Sequence, residues 1–141
     1  MPDLAAHLAY LEAEHEAARR APLSARKAML VAMLADAYAD RLFAAQSRID
    51  DILAFRAKLA AASPALGLVF ALCAHRDGGP RLVTEAVVVS IEAYGGLDVA
   101  DFMVSLYNGH TVQRVQIALP DGSRQDMHEV LADALAALAQ A

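Results

Sequence analysis

The chain has 141 residues, a formal net charge of −5 and an apolar fraction of 57%. That length suits one domain able to bury roughly two thirds of its unfolded surface without a metal or a disulfide. The acidic balance, with no run of Lys or Arg longer than two, disfavours nucleic acid or an anionic membrane surface as a partner.

Much of the apolar excess is alanine, the best helix former and a poor source of core volume. The core is therefore expected from Leu, Val, Ile, Met, Phe and Tyr. No stretch of about 18 apolar residues suggests a membrane span. The N-terminal segment lacks the basic-then-apolar pattern of a secretory signal. One cysteine, Cys73, lies in an apolar run. It has no internal disulfide partner and reads as a buried thiol, which fits a reducing cytoplasm.

In chain order, Asp3 caps a first helix whose apolar stripe is Leu4, Leu8 and Leu11, extended by His15. Pro22 breaks the pattern and Ser24 caps a second helix. No Gly or Pro interrupts residues 25–62, a span of about 57 Å if continuous. One stripe there runs through Leu30, Leu34, Tyr38, Leu42, Ala45, Ile49, Ile52, Phe55 and Leu59, and Met29, Met33 and Phe43 widen the face in the first half. A helix apolar on more than one side has more than one neighbour. The polar cluster QSRIDD, Gln46 to Asp51, is the expected break, and Ser63-Pro64 ends the segment.

Leu66 to Ala74, LGLVFALCA, reads as a strand buried on both faces. A Gly/Pro turn, HRDGGPR, leads to a second strand at Leu82 to Tyr94, so a hairpin is expected. Val99, Phe102, Met103, Leu106 and Tyr107 recur at helical spacing, with Asp98 as N-cap and Asn108-Gly109 as C-terminal cap. Thr111 to Leu119 alternates as a strand, Asp121-Gly122 turns, and Asp126 with Glu129 caps a last helix. The expected order is α-α-β-β-α-β-α. This is an α+β fold in a single domain, residues 1–141. A helical arm, residues 1–62, stands partly apart from an α/β part, residues 65–141. The latter has a three- to four-stranded, mostly antiparallel sheet and two further helices.

Few residues offer chemistry. In YNGH, His110 could act as a general base beside Tyr107, with Arg114 near by, although the cap signal explains the same residues structurally. Glu12 and His15 have the E-x-x-H spacing of di-iron bundles, which needs a second copy and two more glutamates. Asp36 and Asp40 read as a solvated face relieved by Arg41 rather than a cation site. Cys73 and His75 would share a strand face, but burial should leave that thiol inert. No phosphate loop or nucleophile elbow is present, and no cofactor or metal is expected.

Two functions compete. The first is a non-catalytic homodimeric assembly or adaptor protein, its interface built on Met29, Met33, Tyr38 and Phe43. The second is a small-molecule binder or enzyme with a pocket between sheet and helices near Tyr107 and His110. A nucleic-acid regulator would need a basic patch gathered from Arg19, Arg20, Arg26 and Lys27.

Overall fold

The computed structural model describes residues 3–46, 51–90 and 95–141. Among them are helices α1 (Leu4–Arg19), α2 (Ala25–Ala45), α3 (Ile52–Ala62), α4 (Pro64–Ala74), α5 (Val99–Ser105) and α6 (Met127–Gln140). Strands β1 (Arg81–Val88), β2 (Thr111–Ala118) and β3 (Arg124–Asp126) form one antiparallel sheet in the order β1-β2-β3. The α+β class stands, with three strands.

The long helical segment is two helices. α2 ends at Ala45, Gln46 is extended, and Asp51 caps α3 by accepting from the Ala54 N–H at 2.8 Å. The break falls in QSRIDD, of which residues 47–50 lie outside the described residues.

The expected strand at 66–74 is helix α4. Ser63 closes α3 and caps α4, its hydroxyl accepting from the Leu66 N–H at 3.3 Å. Pro64 sits at the first helical turn, where its missing N–H costs nothing. Only Val69 in LGLVFALCA is β-branched; the rest is mostly Leu and Ala, which favour helix once a cap is supplied. His75 ends the helix in the left-handed region, φ 50°.

The antiparallel partner of β1 is therefore β2, in a register that sets Leu82 opposite Ile117 and Glu85 opposite Arg114. The strand expected to Tyr94 ends at Val88, and residues 91–94 lie outside the described residues. The short β3 pairs Gln116 with Asp126 across the turn at Gly122, φ 87°.

One core runs through both halves of the chain, from Leu11 on α1 through Leu66 and Val69 on α4 to Leu131 and Leu138 on α6. The helical part does not stand apart. α2 packs on α1, α4 and α6, and its fully buried positions are largely alanines: Ala28, Ala32, Ala35 and Ala39. Small side chains let helix axes approach closely, so alanine here is packing surface. Leu30, assigned to the inner stripe by spacing, is 42% exposed.

Candidate functional site

Tyr107, His110 and Arg114 do not converge. α5 is capped as expected, Asp98 accepting from the Asp101 N–H at 2.7 Å. The His110 N–H returns to the Ser105 carbonyl at 2.9 Å with Gly109 at φ 64°, a Schellman-type closure. The His110 carbonyl accepts from the Val89 N–H at 2.7 Å, so the backbone at His110 forms a corner between helix and sheet. Tyr107 closes no buried face; it is 85% exposed. The apolar positions of α5 point largely to solvent, and Ser105 is the residue it buries.

Arg114 enters a separate polar cleft of about 520 Å³ between the end of α1, α5, β2 and the start of α6. Its guanidinium is bound to Asp101 at 3.0 Å. Asp98 caps α5, Asp126 caps α6 by accepting from the Glu129 N–H at 3.0 Å, and Arg19 pairs with Glu16. His128 Nε2 lies 3.2 Å from the Pro22 carbonyl. Most of these side chains hold helix ends, ion pairs or the α1–α2 turn.

Glu12 and His15 are not drawn together. Glu12 is exposed and His15 is half-buried near His128. Among the described residues no group of three His, Cys, Asp or Glu side chains is placed to hold a metal ion. The Nε2 of His15 and Nδ1 of His128 are buried without a hydrogen-bond partner. The His15 imidazole is held below its ordinary value of 6.5 by burial first, then by Arg19 and by His128, against the opposing pull of Glu16. A histidine with a depressed folded pKa takes up its proton more readily when unfolded. Its neutral form favours folding above pH 6.5, and stability falls as pH drops below about 6.5 towards the lower folded value. Urea midpoints at about pH 7.5 and about pH 5.5 should show that loss, and His15→Gln should reduce it. An identical loss in the variant would exonerate His15.

Asp36 and Asp40 are not relieved by Arg41. Arg56 of α3 lies between them, bonding the Asp36 carboxylate, the Asp36 carbonyl at 3.3 Å and Asp40 at 2.9 Å. Its guanidinium carbon sits 4.1 Å from the centre of the Phe70 ring on α4. This hub fastens three helices, and its partners stand several helical turns or a whole helix away from Arg56 along the chain, beyond the reach of local spacing. Cys73 lies close by on α4. Burial, then Asp36, push its thiol up to about 11 against the opposing effect of Arg56. On a helix, Cys73 and His75 do not share a face, and the pair has no basis.

Of the expected interface residues, Tyr38 is buried and its ring centre lies 5.4 Å from that of His7. Phe43 is half-buried against Phe55, ring centres 5.5 Å apart. Met29 and Met33 differ. With Leu30 they line an open groove of about 680 Å³ between α1 and α2, completed by Glu14 and Ala17 of α1 and by Arg26 and Lys27 of α2. Met33 is 54% exposed. Ala17 contributes little bulk at the α1 wall, so the groove stays open beside the two methionines. Tyr10, one turn before Glu14, adds a further exposed apolar side chain. Glu14, Arg26 and Lys27 make no ion pair among the described residues.

The chain matches no protein-family model, no curated protein sequence and no solved structure. No helix among the described residues is long and apolar enough to cross a membrane.

Proposed function

We propose that this is a non-catalytic assembly protein of the cytoplasm, acting as a homodimer joined through the α1–α2 groove. The observation that carries the reading is the groove itself: an apolar floor of Met29, Leu30 and Met33 rimmed by one acid and two bases. A two-fold interface places each surface on its own copy. Glu14 of one protomer then meets Arg26 or Lys27 of the other, while the methionines fill each other's groove. Methionine suits such a surface because it is flexible and polarizable. The polar cleft around Arg114 supports the non-catalytic part, since most of its groups serve as caps and ion pairs.

Light scattering across a concentration series should give twice the 15.0 kDa mass of the single chain. Met33→Lys sets a charge against the partner's apolar floor and should return the mass to that of one chain. It should do so with little change in thermal stability, because that side chain is half exposed in the protomer. A wild-type mass that stays at the single-chain value at every concentration refutes the dimer.

A further inference from the structure

Among the described residues no strand pairs with the outer edge of β1. Val89 and His110 are joined N–H to carbonyl at 2.7 Å, in line with the β1–β2 register. Antiparallel ladders alternate, so Val83, Glu85 and Val87 turn their backbone groups to β2. Leu82, Thr84, Ala86 and Val88 turn theirs away from it. β1 is an edge strand, and among the described residues no backbone group hydrogen-bonds to that side. Proteins usually blunt such an edge with charged side chains, Pro or a bulge; β1 has no Pro and no bulge, and of its two charged residues Glu85 is paired with Arg124.

A second feature adjoins the edge. An apolar opening of about 360 Å³ lies beside the start of β1, lined by Met29 and Ala25 of α2, Leu72 of α4, and Leu82. Of the three strands, β1 alone lines it. Arg26 and Arg81 stand at it, and neither makes an ion pair among the described residues.

We infer that β1 accepts an extended segment of a partner protein as a fourth strand. Main-chain bonds to Leu82, Thr84, Ala86 and Val88 hold it, and alternate side chains give selectivity. An aliphatic residue beside Leu82 fills the apolar opening, and its acidic neighbours, turned to the other face of the sheet, meet Arg81. A second copy of β1 fits worse. The two-fold register that uses all four outward residues sets Glu85 directly opposite its own copy, and like charges so placed are destabilising. The strand site and the α1–α2 groove share only Arg26 and Met29.

The test uses the full chain and a labelled peptide, acetyl-Glu-Leu-Glu-Val-Thr-Val-Glu-Leu-Glu-amide, whose symmetric pattern assumes no strand direction. Fluorescence anisotropy should show saturable binding. Replacing the glutamates by lysine, or Arg81 by glutamate, should weaken it at least about tenfold. N-methylation at either the Leu and Val amides or the Glu and Thr amides should abolish binding, and at the other set should not, because one set alone faces β1. Amide exchange should slow at Leu82, Thr84, Ala86 and Val88. Met33→Lys should bind the peptide as wild type does, whatever its mass, which separates this site from the dimer groove. The inference fails if no binding occurs up to about 1 mM, if the lysine peptide binds equally well, or if both methylated peptides still bind. It also fails if the four edge amides are already protected in the free protein where its mass doubles, since a second copy then occupies the edge.

Discussion

Arg56→Met is expected to lower the unfolding free energy by about 2–3 kcal/mol, read from urea melts near neutral pH. The Arg56 side chain is 21% exposed and that of Asp36 30%, between the surface pairs worth under about 1 kcal/mol and the buried pairs whose breakage costs about 3–5 kcal/mol. Three further losses raise the effect above a surface pair: the bonds to the Asp36 carbonyl and to Asp40, and the stacking on Phe70. Much of the damage comes from leaving the Asp36 carboxylate half-buried and unpaired. The double variant Asp36→Asn with Arg56→Met should therefore be more stable than Arg56→Met alone. Arg56→Lys should recover little, because an ammonium lacks the planar fork that reaches both carboxylates and lies flat on a ring. A loss below about 0.5 kcal/mol for Arg56→Met would show that the hub is solvated decoration.

The features legible in the sequence were the punctuated ones. Asp3, Ser24, Asp98 and Asp126 each cap the helix expected of them, because a short polar side chain before an apolar repeat has one local role. The QSRIDD break and the left-handed Gly109 followed from the same chemistry. Periodicity failed where the segment was apolar all round. LGLVFALCA has no polar face to set a period of two against 3.6, and its neighbours in space decide. Spacing placed α2 only in part: Tyr38 and Leu42 of its stripe are buried, but Leu30 is exposed and four alanines with Val31 complete the buried face. The candidate site was partly visible: Met29 and Met33 stood out as a second apolar face and line the groove. Phe43 of that second set and Tyr38 of the main stripe instead meet Phe55 and His7, neighbours fixed by tertiary structure alone. The Arg56 hub and the His128–Pro22 contact carried no sequence signal, since both join residues far apart in the chain.

A truncation series along LGLVFALCA separates helix from strand by its pattern of losses. On a strand, Leu66 and Leu68 share a face and should respond alike. In helix α4 the buried positions Leu66, Val69 and Leu72 recur at every third residue, while Leu68 is half-buried. Leu66 and Val69 are fully enclosed in the core, and α4 lies against α2, α3 and α6. Little relaxation is open to a cavity held between three helices, so Leu66→Ala should cost about 3–4 kcal/mol, in the upper part of the range for buried leucines. Val69→Ala removes two methyl groups and should cost about 1–2 kcal/mol. Leu68→Ala should cost less, about 1 kcal/mol, because part of its surface is already wet and alanine favours the helix. Urea melts of the three variants check the ordering. Equal losses at Leu66 and Leu68, with Val69 tolerant, would return the segment to a strand and dissolve the α4 packing on which the Phe70 contact of Arg56 depends.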